Sequence, residues 1–452
     1  MSLRVAIVGS GPSGMYAADA LLDRGIEVDV IDRLPVPFGL VRYGVAPDHT
    51  SIRSVRDTLD QIWDKPGIRF VGNVYVGRDV SIEELQNAYH AVILTYGASS
   101  DRRLGIEGED LIGSVAATDF VAWYTGHPDL LGPDFDSLLP TVRRVAVVGV
   151  GNVAVDVVRV LSKSRQELSQ TDMPSHVLET LAAAPVEHVY LIGRRGPVQA
   201  SFTTKELREL GELEEADIRL DAHDLALDPA SEAQLSENKV AARNLKVMQE
   251  WTQLDPRNDA RRVIEVKFFR RPTALHGSDR VVGLEVERTQ LDGDGRLVGS
   301  GEAEELPVDL VVRSVGYRGT AMPGVPFDPE RNVIPNVDGR VVDGDAVVRG
   351  LYVAGWIKRG PTGIIGTNKK CAVGTVAALL DDLAEGLISA NDPAPGIDSL
   401  LQARGIQTVG TSGWRSIDDQ EKARGQSQGR PRVTIHERDE LVKIGAAATA
   451  TD

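Results

Sequence analysis

A glycine-rich turn occurs twice in the 452-residue chain, and it constrains the fold more than any other feature. Arg4-Val5-Ala6-Ile7-Val8-Gly9-Ser10-Gly11-Pro12-Ser13-Gly14 returns 140 positions later as Arg144-Val145-Ala146-Val147-Val148-Gly149-Val150-Gly151-Asn152-Val153-Ala154. Each copy is a β-branched run, a glycine turn and then a helical pattern, which is how a βαβ unit opens. A second pair repeats with it. His90-Ala91-Val92-Ile93-Leu94-Thr95-Tyr96-Gly97 resembles Asp309-Leu310-Val311-Val312-Arg313-Ser314-Val315-Gly316. The chain therefore reads as two copies of one dinucleotide-binding plan, with a period far too long for a solenoid.

The coarse pattern is α/β. Strand 5–8, helix 13–24 and strand 27–31 form the first βαβ unit; strand 145–148, helix 152–163 and strand 187–192 form the second. The stretch 163–184 reads as a helical excursion, and the polar region 212–260 as helices and loops. Strand patterns at 263–269, 281–288 and 308–315 suggest an antiparallel insert. Residues 351–386 read as strand, glycine turn and helix, and the tail 446–452 as disordered.

Composition excludes several functions. Lys and Arg number 50 against 66 Asp and Glu, a net charge of −16, which argues against a nucleic-acid binder and a polybasic membrane anchor. The single cysteine, Cys371, excludes a Cys-x-x-Cys redox pair, an internal disulfide and a protein-held iron–sulfur cluster. It fits a reducing cytoplasm. Arg4 leads straight into a short apolar run, so no secretory signal is expected. No stretch of 18 uncharged apolar residues occurs, so no spanning helix is expected either.

The turns carry chemistry. In Gly9-x-Gly11-x-x-Gly14 the first glycine allows the tight turn, the second lets backbone approach a pyrophosphate, and the third lets helix and strand pack closely. The helix N-terminus offers N–H groups to the phosphates. Asp32, 18 positions after Gly14, ends the next strand, where a carboxylate accepts bonds from a ribose hydroxyl. In the second copy, Gly149-x-Gly151-x-x-Ala154, the acid is missing and Arg194-Arg195 stand there instead. Guanidinium groups clamp a 2′-phosphate that a carboxylate would repel. The first site therefore suits FAD and the second NADP(H). A third element runs from Gly350 through Gly355-Trp356 to Gly363 and Thr367. Its helix, starting near Thr362, would aim at the flavin, with Trp356 covering the ring.

Longer stretches carry a resemblance. They are Val36-Pro37-Phe38-Gly39-Leu40-Val41-Arg42-Tyr43-Gly44-Val45-Ala46-Pro47-Asp48-His49, Gly193-Arg194-Arg195-Gly196-Pro197, Phe202-Thr203-Thr204-Lys205-Glu206-Leu207-Arg208-Glu209-Leu210 and Gly355-Trp356-Ile357-Lys358-Arg359-Gly360-Pro361-Thr362-Gly363. Through them nearly the whole chain resembles the adrenodoxin reductase-type NADPH–ferredoxin reductases. The resemblance implies two Rossmann-like domains, with an NADP domain (104–319) inserted into an FAD domain made of 1–103 and 320–452. It implies FAD at Gly9, Gly11, Ser13, Gly14, Asp32, Leu40, Trp356, Gly363, Ile364 and Ile365. It implies NADP at Gly149, Gly151, Asn152, Val153, Arg194, Arg195, Glu206 and Gly363. His49 and Glu209 would lie near the flavin–nicotinamide contact as tuning residues, because hydride transfer itself needs no acid or base. Two departures stand out: Val150 replaces a commoner Asn, and Asp32 a commoner Glu.

The family hands single electrons to an acidic iron–sulfur ferredoxin, often feeding a cytochrome P450. A chain of net charge −16 then needs a local basic face. Arg208, Arg243 and Lys246 are the expected docking residues, with Lys205, Arg261, Arg262, Arg270 and Arg271 as further candidates. Relatives suggest a monomer; no metal site, nucleic-acid partner or membrane anchor is expected. Cys371 reads as a small buried apolar residue. Two other readings share both turns: an FAD/NADPH-dependent reductase or monooxygenase acting on a small molecule, and a nucleotide-binding redox sensor with little turnover.

Overall fold

The chain separates into two compact units in a computed structural model that describes residues 3–257, 259–363, 365–388 and 395–449. The first comprises Met1–Ser100, Thr125–Asp129 and Tyr317–Asp452, and the second Asp101–Tyr124 and Leu130–Gly316. The sequence-based divisions fall at 103/104 and 319/320; the compact units divide at 100/101 and 316/317, and residues 125–129 belong to the first unit.

The first unit is built on a seven-stranded sheet. Its order is Asn336–Val337, Arg340–Asp343, Ala346–Val353, Ala91–Leu94, Arg4–Val8, Glu27–Ile31 and Ile68–Val71. The five strands from Ala346–Val353 to Ile68–Val71 pair in parallel, and an antiparallel edge precedes them. A parallel strand is covered on both faces, so its residues read as a continuous apolar run. Val5, Ala6 and Ile7 are accordingly fully buried. On one face Met15, Ala18 and Leu21 of the helix Pro12–Leu22 meet Ala372, Val376 and Leu379 of the helix Ile365–Ala384 in a common core. On the other, Val92, Leu94 and Val353 pack with Leu85 and Ile357.

The second unit repeats the plan with six parallel strands. They are ordered Ser114–Ala116, Leu310–Arg313, Arg144–Val148, His188–Ile192, Arg262–Lys267 and Ala216–Leu220. A separate antiparallel sheet is formed by Arg270–His276, Gly283–Leu291 and Leu297–Pro307.

Several expectations are corrected. Of the three strands expected in the antiparallel insert, only the middle one lies there; Arg262–Lys267 and Leu310–Arg313 join the parallel sheet. The third insert strand, Leu297–Pro307, is mostly exposed and reads Gly-Ser-Gly-Glu-Ala-Glu-Glu at its centre, so no apolar alternation announces it. Region 212–260 contains a strand, Ala216–Leu220. The helix expected to start near Thr362 is described from Ile365, with residue 364 outside the described residues. Residues 446–449 are not disordered but end the helix Arg438–Thr449, where Thr449 Oγ1 accepts the Gly410 N–H at 2.8 Å; 450–452 lie outside the described residues. Cys371 is half-buried rather than buried; it packs against the apolar core of the first unit, and its Sγ also accepts the Gly355 N–H at 3.3 Å.

Candidate cofactor-binding sites

In the first unit the turn follows the central strand directly. Gly9 has φ +107°, and a Cβ there would lie 2.9 Å from the backbone of Thr95 and Tyr96. Thr95 directly follows the neighbouring strand Ala91–Leu94, and its hydroxyl lies 3.0 Å from the Val8 carbonyl and 2.8 Å from that of Gly9, holding the turn where the strands diverge. A Cβ on Gly14 would sit 2.0 Å from the Gly9 carbonyl oxygen, so the third glycine is a packing requirement. Gly11 is the opposite case: nothing lies within 4 Å of where its Cβ would be.

That open space adjoins unsatisfied donors. The helix Pro12–Leu22 starts at Gly11 with no side-chain cap. Several other helices do carry a side-chain cap, among them Ile82–Ala88 with Ser81 and Lys239–Trp251 with Asn238. First-turn N–H groups left bare beside a cradle that any Cβ would fill are what a pyrophosphate requires. Asp32 braces the turn. Its Oδ2 accepts the Ser10 N–H at 2.8 Å and the Ser10 hydroxyl at 2.5 Å, and its Oδ1 accepts the Leu34 N–H at 2.9 Å. A carboxylate has about four acceptor directions, so one remains for a ribose hydroxyl.

Ser13, Gly355 and Asn368 meet beside this turn. Ser13 Oγ donates to Asn368 Oδ1 at 3.1 Å, and a Cβ on Gly355 would lie 2.3 Å from Ser13 Oγ. Trp356 carries a further sign of a ligand. Its indole Nε1 is buried with no hydrogen-bond partner among the described residues, and its ring lies 5.5 Å from that of Tyr317. A buried indole N–H usually finds a partner. The open cradle and this orphaned donor fit an FAD. Leu40 is half-buried, Gly363 precedes the helix Ile365–Ala384, and Ile365 opens it; Ile364 lies outside the described residues. His49 is buried, with its carbonyl accepting the N–H groups of Ile52 and Arg53.

The second unit shows the same construction. Gly149 has φ +134°, and a Cβ there would lie 2.1 Å from the Ser314 carbonyl oxygen, as Gly9 stands to Thr95. The helix Asn152–Ser162 starts at Gly151 without a side-chain cap, and only Ser201 Oγ, at 3.3 Å, would meet a Cβ on Gly151. Val153 is half-buried, and Ala154, the third position, fully buried. Asn152 Oδ1 accepts the Thr203 N–H at 2.8 Å, tying the turn to the helix Thr204–Gly211. The exposed side chains of Arg194 and Arg195 follow the strand His188–Ile192. Their carbonyls are fixed, by Thr289 Oγ1 at 2.7 Å and the Phe269 N–H at 3.2 Å, while both guanidinium groups face solvent. Arg195 borders a cavity of about 220 Å³ with Gln199, Gln234 and Leu291. Uncapped donors plus two solvent-facing guanidiniums fit a dinucleotide bearing a 2′-phosphate.

The helix Thr204–Gly211 carries the remaining candidates. Glu206 is buried, and burial pushes its carboxyl pKa up from its ordinary value. Glu209 is half-buried and pairs with Arg159 at 3.4 Å, and Arg159 also holds Asp156 at 2.7 Å. Arg208, Arg243 and Lys246 are exposed on the packed helices Thr204–Gly211 and Lys239–Trp251, as is Lys205, and Arg261 is exposed just before the strand Arg262–Lys267. Three further candidates for a basic face are corrected. Arg262 is buried against Glu215, Arg270 is held by Glu304 and Asp224, and Arg271 is paired with Glu287. All three sit on strands, where packed stems and local carboxylates consume the charge. Thr95, Ser314, Thr203 and Asn368 have parts that no motif announced.

Residues 3–223 match the family described as pyridine nucleotide-disulphide oxidoreductase. With one cysteine this chain keeps the dinucleotide folds without an internal disulfide. The chain is 43% identical to NADPH-ferredoxin reductase FprA of Mycobacterium tuberculosis, over 98% of both proteins. It is 41% identical to the mitochondrial NADPH:adrenodoxin oxidoreductase of Arabidopsis thaliana, over 98% of this chain and 95% of that one. The solved structure of M. tuberculosis FprA in complex with NADPH matches with a TM-score of 0.91 at 42% identity, covering 98% of this chain and 100% of that chain. No helix among the described residues is long and apolar enough to cross a membrane.

Proposed function

The chain belongs to the family of NADPH-ferredoxin and NADPH:adrenodoxin oxidoreductases, and on that premise we propose that it is itself an NADPH–ferredoxin oxidoreductase, with FAD at the first turn and NADP(H) at the second. One contrast carries the assignment. Two uncapped helices start behind matching glycine turns, one followed by Asp32 and the other by Arg194 and Arg195. A bound FAD would supply chemistry that accepts a hydride and releases electrons singly, bridging a two-electron donor and a one-electron acceptor.

The residues bind and orient. The N–H groups behind Gly11 and Gly151 hold pyrophosphates, Asp32 takes a ribose hydroxyl, and Arg194 and Arg195 select the 2′-phosphate. Leu40, Trp356, Gly363, Ile364 and Ile365 complete the flavin site, and Asn152, Val153, Glu206 and Gly363 the nicotinamide-nucleotide site. His49 and Glu209 tune the transfer by position and charge, without moving a proton to the hydride. Arg208, Arg243 and Lys246 dock the acidic iron–sulfur ferredoxin. The reading carries with it a monomeric, cytoplasmic protein whose electrons go on to a cytochrome P450 or another ferredoxin-dependent enzyme; the lone cysteine supports the compartment.

The test is NADPH-driven cytochrome c reduction by the purified protein, with and without added ferredoxin. A rate that climbs and saturates with ferredoxin, and weakens with salt, is expected. Flavin reduced by NADPH but indifferent to every ferredoxin would reassign the acceptor to a small molecule.

A further inference from the structure

A buried charge cluster lies behind the loop that leans on the first glycine turn. Arg42 and Glu421 are 1% and 0% exposed. The guanidinium is bidentate, with Nη1 3.1 Å from Oε2 and Nη2 2.5 Å from Oε1. Glu421 also accepts Arg432 Nη1 at 2.7 Å and the Ile435 N–H at 2.8 Å, and Arg432 reaches Asp418 at 2.5 Å. Trp414, Asp418 and Glu421 lie at i, i+4 and i+7, on one face of the helix Thr411–Ser427. The Arg42 guanidinium sits 5.6 Å from the Trp414 ring and 5.0 Å from that of Tyr43. Burial alone would push the Glu421 carboxyl up; the charges of Arg42 and Arg432 override it and hold the group below its ordinary range, ionised.

The front of the same loop is strained and tightly placed. Phe38 has φ +84°, a left-handed conformation that is strained for a bulky residue. Its N–H donates to the Ser10 carbonyl at 3.1 Å, and its ring meets Trp414 edge-on at 5.6 Å. A Cβ on Gly39 would lie 3.1 Å from Gly11 Cα. The loop is thus laid on the cradle itself, and something must over-determine its position.

Stability alone does not account for the ions, since well-packed apolar residues usually replace a buried pair without loss. What a bidentate pair adds is a fixed place and orientation for the chain that carries it. We infer that Arg42 and Glu421 are positioning residues for the flavin nucleotide, locking loop 36–43 against the Gly9–Gly14 turn from 379 positions away. The helix Thr411–Ser427 thereby sets how long FAD stays bound. The inference rests on the reading that FAD occupies the first turn.

The test uses the FAD-loaded full-length protein and two variants. Arg42→Met with Glu421→Gln removes both charges, keeps an acceptor for Arg432 and leaves no buried charge unpaired. Glu421→Asp keeps every charge and shortens the reach. FAD release is followed by the recovery of flavin fluorescence on dilution, well below the melting temperature, beside the visible circular dichroism of the bound flavin. Release about tenfold faster in the double variant, and about threefold faster in Glu421→Asp, is expected, with an altered flavin spectrum and an unchanged far-ultraviolet spectrum. Wild-type release and flavin spectrum in either folded variant, with only a lowered melting temperature, would overturn the inference, and if the double variant does not fold Glu421→Asp decides alone. A wild-type protein that takes up no FAD fails the underlying reading instead.

Discussion

The side-chain oxygen of Asn152 accepts the backbone N–H of Thr203 at 2.8 Å. Asn152 opens the helix behind the second glycine turn, and Thr203 immediately precedes the helix that carries Glu206, Arg208 and Glu209. One side chain thus fixes the helix start proposed to hold a phosphate relative to the helix beside it. Asn152→Ala leaves the Thr203 N–H without its acceptor, at about 1–2 kcal/mol, and frees that helix to shift. The KM for NADPH should rise about threefold to tenfold while FAD content is unchanged. Steady-state kinetics with an artificial electron acceptor check this; an unchanged KM would show that the link serves folding only.

Arg194 and Arg195 present free guanidinium groups where the first unit presents Asp32. On the proposed assignment, replacing both by Ala removes charge-assisted bonds to a 2′-phosphate and nothing from the rest of the nucleotide. The KM for NADPH should rise by about 10²-fold and that for NADH by less than about threefold. Equal effects on the two nucleotides would move the 2′-phosphate site elsewhere.

The local geometry of the two glycine turns was legible in the sequence. Gly9, Gly11, Gly14 and Asp32 fall within one βαβ unit, and so do Gly149, Gly151, Arg194 and Arg195, because the geometry a pyrophosphate needs is written in consecutive residues. The parts that depend on distant pairing were not. Thr95 and Ser314 brace the two turns only because their strands lie beside Arg4–Val8 and Arg144–Val148. Glu421 finds Arg42 across most of the chain. Arg262, Arg270 and Arg271 look like a basic patch in one dimension and prove to be paired or buried, since a charge run says nothing of the carboxylates that folding brings to it.

Gly11 separates binding from folding. Its backbone is extended, with φ −68° and ψ 179°, and its Cβ position is open, so Gly11→Ala meets no steric obstacle in the protein itself. The added methyl instead occupies the pyrophosphate cradle. The variant should fold with a melting temperature close to that of the wild-type apoprotein, yet purify colourless or with FAD affinity reduced at least about tenfold. Gly14→Ala is the contrast, since its methyl would strike the Gly9 carbonyl and destabilise the fold whether or not FAD is present. A yellow Gly11→Ala protein with wild-type FAD affinity would place the pyrophosphate away from this turn.

His127 gives the first unit an acid-sensitive clasp. Its Nδ1 accepts the Asp129 N–H at 3.0 Å, which requires the neutral ring, and the ring leans on Tyr43 at 4.8 Å. Asp129 in turn holds Arg438 at 2.8 Å and Arg33 at 3.2 Å. Burial first, and then the charge of Arg33, push the His127 ring down to about 4. The unfolded ring titrates near 6.5. As pH falls the unfolded chain therefore takes the proton first, so the contribution is fully present above about pH 6.5 and is lost as pH drops towards about 4. Between pH 7 and pH 5 this one group should account for about 2 kcal/mol of lost stability. His127→Asn retains an acceptor near the Nδ1 position but cannot take up a proton. Denaturant unfolding at the two pH values should then show the variant losing about 2 kcal/mol less than the wild type, and parallel losses in the two proteins would place the acid sensitivity in other groups.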